Sequence, residues 1–197
     1  VLGVYIGTIV LLNIPSVQQV MSVFVAEELS DLLNTRVTIG RINIGLLNRI
    51  IIDDVLLDDQ DEQEMLKVTR LSAKFDIMPF FKGKISISSV QLFGFNINLQ
   101  KKTPDSPPNF KFVLDAFASN DTVKKDNSLD LRINSILIRR GRMAYHVLSE
   151  EETPGKFNAK HVQLQNIIAN ISLKALSKDS INLGIKRLSL DEKVSGF

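Results

Sequence analysis

The chain has 197 residues, of which 44% are hydrophobic and 23% are charged. This composition supports a sizeable core and excludes a wholly disordered chain. There are 24 Lys and Arg residues against 22 Asp and Glu residues, so the formal net charge is +2. Dedicated nucleic-acid binders neutralise phosphates with a larger positive surplus. We therefore expect no nucleic acid among the partners.

Residues that carry chemistry are scarce. The sequence has no Cys, which excludes disulfides, thiolate metal sites and cysteine nucleophiles. It also has no Trp and only two His. His146 and His161 each lack a second His or a carboxylate at ligand spacing, so we expect ordinary surface roles for both. Phosphate-binding glycine loops and nucleophile motifs do not occur. We expect no catalytic residue, no cofactor and no metal, and hence no enzyme.

The first fourteen residues, VLGVYIGTIVLLNI, carry no charge. As a helix they would rise about 21 Å, which is short of a hydrocarbon core of about 30 Å. We interpret 1–14 as a truncated transmembrane anchor; the alternatives are a signal-peptide hydrophobic region and a buried strand or helix. The next residues offer no cleavage site between small residues, which favours an uncleaved anchor.

Residues 15–34 are predicted to form an amphipathic helix. Pro15 suits the first turn of a helix, because its missing N–H would be unpaired there anyway. Apolar residues then recur at steps of three and four, with Gln18, Gln19 and the acidic residues mostly on the other side. We expect this helix to pack on the core of the protein, since a membrane-surface helix would favour Lys and Arg on its polar face. The predicted packing residues are Val17, Val20, Met21, Phe24, Leu29, Leu32 and Leu33.

Over residues 35–197 the hydrophobic period changes to two. Sustained alternation predicts antiparallel-type strands with one apolar and one wet face. The apolar phase slips by one residue at Gly40-Arg41, Arg70, Ser88-Ser89, Asn134-Ser135 and Lys160-His161. A slip sends side chains to the opposite face unless the strand bulges or bends, and repeated bulges curl a sheet.

A frame of two polar residues, an apolar residue, any residue and another apolar residue recurs along these strands. It begins at Ser88, Asn134, Lys160 and Lys186, which is typical of an elongated repeat architecture. The sequence ends within such a repeat at Phe197. We therefore expect the fold to be mainly β, an elongated and curled repeat sheet that continues beyond this fragment.

An apolar groove is the feature of such a sheet that bears on function. A sheet curled until its apolar faces are about 10 Å apart is filled by its own side chains. A more open sheet exposes a continuous apolar strip, which monomeric soluble proteins rarely tolerate. The candidate groove residues are Ile39, Ile44, Val68, Phe75, Ile87, Leu92, Ile97, Ile133, Ile138, Leu164, Ile171 and Leu183.

Two charged clusters have simpler interpretations. The acidic stretch lacks the Gly and the ligand spacing of a calcium loop, so we expect a solvated turn between strands, with a weak cation site as the alternative. It comprises Asp53, Asp54, Asp58, Asp59, Asp61, Glu62 and Glu64. Arg139, Arg140 and Arg142 are expected on a wet strand face or as charges that guard a strand edge, and anionic lipid head groups or a protein partner are their alternative contacts.

The region from Val37 to Asp58 matches a family pattern. It reads V-x-I-G-x-I-x-I, then a short linker, then an apolar run and D-V-x-L-D, and it follows the Pro-initiated helix IPSVQQVMSVFVAEELSDLL. In this order of elements the chain resembles the N-terminal region of the AsmA-like family. The match covers about a quarter of the chain specifically.

The resemblance implies a single-pass protein of the inner (plasma) membrane, anchored by its N-terminal helix, with its β-domain in the periplasm of a Gram-negative bacterium. It implies a taco-like sheet whose apolar groove carries phospholipids between the inner and outer membrane, with the first helix capping the membrane-proximal end. It also implies an outer-membrane barrel-assembly-type protein as a partner, contacted through regions beyond this chain. The alternative functions are a chaperone for outer-membrane β-barrel proteins, as in the translocation and assembly module, and a purely structural stalk or adhesin.

Overall fold

A computed structural model describes residues 10–45, 48–75, 85–119, 129–130, 135–176 and 181–193, together with Gly3 and Gly7. In chain order the elements are helix α1 (Pro15–Leu33), strands β1 (Val37–Gly45), β2 (Arg49–Asp58), β3 (Glu64–Phe75) and β4 (Ile85–Lys101), helix α2 (Lys111–Ser119), and strands β5 (Leu129–Asp130), β6 (Ser135–Val147), β7 (His161–Leu176) and β8 (Ile181–Glu192). The described chain is mainly β, as predicted.

Seven strands form one mixed sheet in the order β1-β2-β3-β4-β6-β7-β8, and the short β5 pairs with β4 off this path. The sheet is not closed, which is consistent with a curled sheet. Neighbours are antiparallel except β4 and β6, which are parallel, so the expectation of antiparallel pairing throughout is wrong at this step. Parallel neighbours need a long crossover, and the segment between Lys101 and Ser135, which includes α2, returns the chain to the end where β4 begins.

Helix α1 is present where the sequence predicts it. Pro15 occupies its first turn, and Asn34 ends it in a left-handed conformation (φ 49°) with its N–H bonded to the Ser30 carbonyl. Along the chain, α1 leads directly into β1, the strand it contacts. Half of the predicted anchor, 1–14, lies outside the described residues. Within the described part of the chain, none of the helices combines the length and the apolar character needed to cross a membrane.

Seven of the buried apolar residues form two clusters. The first centres on Val68, Phe95 and Ile167, and its other members all come from the strands. The second lies at the end of the sheet where α1 meets β1, and includes Leu33 and Met65. Side chains from α1 and from the region of α2 pack against this second cluster, namely Leu29, Phe110, Phe112, Val113 and Ala116. The two helices thus close one end of the sheet.

Candidate functional site

One face of the sheet carries rows of apolar side chains that run from the first strand to the last. Residues paired across neighbouring strands lie on the same face, so the strand register defines these rows. One row of seven crosses every strand of the path: Ile42, Ile52, Leu71, Leu92, Ile138, Ala169 and Leu188. A second row of seven also crosses every strand of the path: Ile44, Ile50, Ala73, Val90, Ile136, Ile171 and Ile185. We call the side that bears these rows the apolar face.

A third row continues the apolar face toward the end closed by the helices. It consists of Val37, Leu57, Leu66, Ile97, Met143 and Leu164, and on β8 it ends at Glu192. The cluster around Val68 and Phe95 contains members of this row and of the row through Leu92. The three rows therefore belong to one continuous surface.

Left-handed residues aligned across the sheet keep the apolar residues on this face. Positive φ angles occur at Asp54 (56°), Gly94 (64°), Arg140 (54°) and Asn166 (53°), one in each of β2, β4, β6 and β7. In β1 to β4 the apolar residues on either side of this line are three positions apart instead of two, as in Ile39 and Ile42. An extra residue normally turns the following side chains to the opposite face. Because neighbouring strands carry it at the same level, both the pairing and the apolar face are preserved.

This line accounts for two of the predicted phase slips. Gly40-Arg41 and Arg70 lie at the level of Asp54, since Arg41 and Arg70 both pair with Asp53. The slip at Ser88-Ser89 corresponds to a register shift in which Lys74 pairs with Ser89 and Phe75 with Ile87. The slip predicted at Lys160-His161 is wrong, because His161 begins β7 and no strand precedes it there. Asn134 lies outside the described residues.

The predicted groove residues fall on the apolar face wherever the structure describes their side chains. These are Ile39, Ile44, Val68, Leu92, Ile97, Ile138, Leu164 and Ile171, and all but Val68 are partly exposed. The backbones of Phe75 and Ile87 pair with each other, and that of Leu183 pairs with Leu173, but their side chains are outside the described set. Ile133 is outside it entirely. Strand β2 supplied members that the alternation did not single out, Ile50 and Ile52.

The opposite face is polar and basic. Arg41, Arg70 and Arg139 lie on it at one level, and the Arg70 guanidinium binds Asp53 through two hydrogen bonds of 2.6 and 3.2 Å. This contact, with its hydrogen bonds as the main cause, raises the pKa of Arg70. The prediction that Arg139, Arg140 and Arg142 lie on a wet strand face is confirmed, since all three are exposed.

Helix α1 presents polar side chains to the sheet in its first half. Gln18 is buried and donates from Nε2 to the Oδ1 atoms of Asn43 on β1 (2.7 Å) and Asn13 (3.2 Å). Ser22 is also buried and donates to the Gln18 carbonyl. Asn13 in turn donates from Nδ2 to the Ile44 carbonyl at 2.9 Å. Gln18 and Ser22 therefore face inward, whereas Ser16 and Gln19 of the same half are exposed.

Large apolar side chains lie on the outward side of the same half. Val20 is 69% exposed and Phe24 is 61% exposed. The prediction that the seven apolar residues of α1 pack together on the core is therefore wrong for Val20, Phe24 and Leu32. It is right for Leu33, which is buried, and for Leu29, which packs beside it; Val17 and Met21 are partly exposed. The physical reason is that the helix turns Gln18 and Ser22 toward polar partners, which rotates Val20 and Phe24 away.

The acidic stretch is only partly the solvated turn that was predicted, because it spans β2 from Asp53 onward, the turn to β3 and the first residue of β3. Asp59 is 1% exposed and accepts four hydrogen bonds. Its Oδ1 accepts from the backbone N–H groups of Asp61 and Gln63, and its Oδ2 accepts from the side chains of Gln100 and Asn109. Burial raises the pKa of Asp59, but these hydrogen bonds outweigh it and leave the pKa below its ordinary value. Asp59 thus organises this end of the sheet.

The two histidines, predicted to be separate surface residues, face each other across β6 and β7. His146 pairs with His161 in the register, and their Nδ1 atoms are 3.0 Å apart. The sequence did not indicate this proximity, because the long turn between the two strands separates the histidines by 15 residues. Together with Glu152 they form a group of three potential metal ligands within the described residues.

Comparisons with known proteins add nothing to this geometry. No family model matches the chain, and no curated protein is significantly similar to it.

Proposed function

We propose that this chain is the membrane-proximal part of a periplasmic bridge that carries phospholipids between the inner and outer membrane. The lipid's acyl chain would lie along the apolar face, in the groove of a curled sheet. The observation that carries the proposal is the pair of apolar rows that cross all seven strands. The resemblance to the AsmA-like family over Val37 to Asp58 supports the same function.

The exposure of the apolar face favours a ligand over a closed core. Every member of the cluster around Val68, Phe95 and Ile167 comes from the sheet itself, so no second layer contributes to it among the described residues. Toward β8 the face becomes more open, with Ile185 56% exposed and Leu188 53% exposed. Soluble proteins seldom leave such a surface uncovered.

The energetics suit a lipid chain. Burial of each CH₂ group stabilises by roughly 0.8 kcal/mol, so sixteen carbons give about 12 kcal/mol before the ordering of the chain is subtracted. This is enough to offset departure from a bilayer. Rows that repeat from strand to strand provide many similar positions and no single deep site, which would allow a lipid to slide. Such transport needs no catalytic residue.

The position of α1 supports a membrane at one end of the sheet. Residues 1–26 contain no charged residue. Two residues of this uncharged stretch, Asn13 and Gln18, are hydrogen-bonded to Ile44 and Asn43, at the end of β1 opposite the helix-closed end. We infer that this end of the apolar face lies next to the inner membrane, which would let lipids enter there. This inference departs from the expectation, taken from the family resemblance, that the first helix caps the membrane-proximal end.

Site-specific photo-crosslinking tests the proposal. A benzophenone amino acid replaces Ile97 or Leu164 on the apolar face, and Asn96 or Gln163 on the opposite face as matched controls one residue away. Expressed in a Gram-negative host, the first pair is expected to crosslink phospholipid and the control pair is not. Equal lipid labelling at all four positions, or none at Ile97 and Leu164, would contradict lipid carriage.

A second function is favoured by the free edge of the sheet. Strand β8 (Ile181–Glu192) pairs only with β7 in the described residues. An edge of this length can bind an extended strand by backbone hydrogen bonds, which is what a chaperone for outer-membrane β-barrel proteins would need. Crosslinks from Ile97 or Leu164 to an outer-membrane polypeptide would favour the chaperone, and crosslinks to neither polypeptide nor lipid would favour a structural stalk.

A further inference from the structure

The end of the β6–β7 pair brings together three side chains with the chemistry of metal ligands. His146 is the next-to-last residue of β6 and His161 is the first residue of β7, and they pair directly. Their Nδ1 atoms are 3.0 Å apart, and a carboxylate oxygen of Glu152 lies 3.8 Å from the Nδ1 of His146. One ligand atom from each of the three residues lies within 4.8 Å of the other two.

The buried ring of His161 is oriented for coordination. Its Nε2 lies 3.0 Å from the backbone carbonyl oxygen of Glu150. A carbonyl oxygen only accepts, so we assign the proton of the neutral ring to Nε2, which leaves a lone pair on Nδ1. That lone pair is directed toward His146. Metal-ligating histidines commonly show this arrangement, with the second ring nitrogen donating to a carbonyl.

The turn that supplies Glu152 is held by other contacts. The Glu150 N–H donates to the Val147 carbonyl, and the Glu150 carboxylate binds Lys160 at 2.7 Å. Asn158 donates from its side chain to the Glu151 carbonyl at 3.2 Å. Glu152 therefore follows a braced backbone, whereas its own carboxylate is exposed and close to the two rings.

We propose that His146, His161 and Glu152 bind one divalent transition-metal ion. Two imidazoles and one carboxylate suit Zn²⁺, Co²⁺, Ni²⁺ and Cu²⁺ and do not suit Mg²⁺ or Ca²⁺, which prefer oxygen ligands throughout. On binding, the ion takes the position of the hydrogen between the two Nδ1 atoms, and that hydrogen moves to the Nε2 of His146, so that both rings stay neutral. The ion also fastens the turn to the strands. This site is independent of the proposed lipid function and departs from the expectation that the chain binds no metal.

Zinc titration of the whole chain tests the proposal. The chain is purified without a histidine tag into nanodiscs at pH 7.5 and titrated with Zn²⁺ by calorimetry. We expect one ion per chain, because the sequence contains no Cys and no third His to build a competing site. His146→Asn and Glu152→Gln are expected to weaken binding at least about tenfold.

Glu151→Gln is the matched control, since it removes the same charge from the adjacent position, outside the ligand group. It is expected to leave zinc affinity within about twofold. Co²⁺ supplies a second readout: ligand-field absorption in the visible range is expected for the unaltered chain and is expected to be lost with Glu152→Gln, a surface change that does not threaten folding. Failure to bind either ion, binding unchanged in His146→Asn and Glu152→Gln, or equal losses in Glu151→Gln and Glu152→Gln would each overturn the proposal.

Discussion

Phe95 of β4 lies with its ring against Gly141 of β6, in the space that a β-carbon at position 141 would occupy. The same β-carbon would lie 3.0 Å from the Cβ atom of Ile167 on β7. One aromatic ring thus spans a neighbouring strand and reaches the next, because the strand between them carries no side chain there. This contact joins three strands in the central cluster of the apolar face.

Gly141→Ala is therefore expected to destabilise the fold by about 2 kcal/mol, because overpacking forces the Phe95 ring to move. Urea unfolding of the purified chain measures the change. Gly45→Ala is the control: its β-carbon would make only ordinary contacts, the nearest at 3.4 Å, so a neutral or slightly stabilising effect is expected. The double variant Gly141→Ala/Phe95→Leu should lose less stability than the sum of the losses of the two single variants, and simple additivity would contradict the contact.

The line of left-handed residues gives a second prediction. Asp54, Gly94 and Asn166 are residue types that tolerate a positive φ, but Arg140 is not, and a left-handed conformation costs such a residue about 1 to 2 kcal/mol. Arg140→Gly should relieve this strain, while losing a weak contact of the guanidinium with the Phe93 ring, 5.1 Å away.

Arg139→Gly is the matched comparison, because Arg139 is adjacent and has no positive φ. It should destabilise by about 0.5 to 1 kcal/mol, as glycine does in a strand. We expect Arg140→Gly to be more stable than Arg139→Gly by about 1 to 2 kcal/mol in urea unfolding. Equal destabilisation of the two variants would contradict a strained left-handed conformation at Arg140.

Asp59 gives a prediction that depends on pH. Asn in its place still accepts from the backbone N–H groups, but its NH₂ group faces the donors of Gln100 and Asn109. We expect Asp59→Asn to lower the free energy of unfolding by about 2 kcal/mol at pH 7. Asp61→Asn removes an exposed charge from the same turn and should change it by less than about 0.5 kcal/mol.

The direction of the pH effect follows from the lowered pKa of Asp59. A carboxyl whose folded pKa lies below its unfolded value, about 3.9, stabilises fully above that value and loses its contribution as the pH falls through the folded pKa. The difference between Asp59→Asn and the unaltered chain should therefore shrink below about pH 4. A difference that stays constant down to pH 3 would argue against an ionised Asp59 in the folded protein.

The sequence predicted the class of fold and the composition of the apolar face, because period-two alternation reports directly which side chains share a face. It did not reveal β2, since Ile51 and Leu56 lie on the polar face and interrupt the alternation. The parallel step between β4 and β6 depends on the path of the crossover, which alternation does not encode. The meeting of His146 and His161 depends on the strand register at the end of the β6–β7 turn, so their sequence spacing could not show it.

Helix α1 shows a different limit. Its period predicts which residues share a face, but a period does not tell whether protein or lipid covers that face. Gln18 decides the orientation here, because its amide finds Asn43 on β1 and Asn13 before the helix. Gln18→Leu should therefore destabilise the fold by about 1 to 3 kcal/mol in urea unfolding, since the partly buried Oδ1 of Asn43 loses its donor. A neutral effect would show that the inward polar contacts do not set the helix orientation.

A reporter on the outward side of α1 can show where the membrane lies. This last prediction assumes the proposed membrane-anchored function. The chain has no Trp, so Phe24→Trp introduces a single fluorescent reporter on α1. Phe157→Trp is its control, because both phenylalanines are 61% exposed and Phe157 lies in the turn between β6 and β7. In nanodiscs that contain brominated lipids, the fluorescence of the Trp at position 24 should be quenched relative to nanodiscs without bromine. Its emission should also be blue-shifted relative to that of a water-exposed Trp, whereas the Trp at position 157 should show neither effect. Interfacial burial of an apolar helix face predicts this asymmetry, and equal quenching at both positions, or none at position 24, would place the bilayer away from α1.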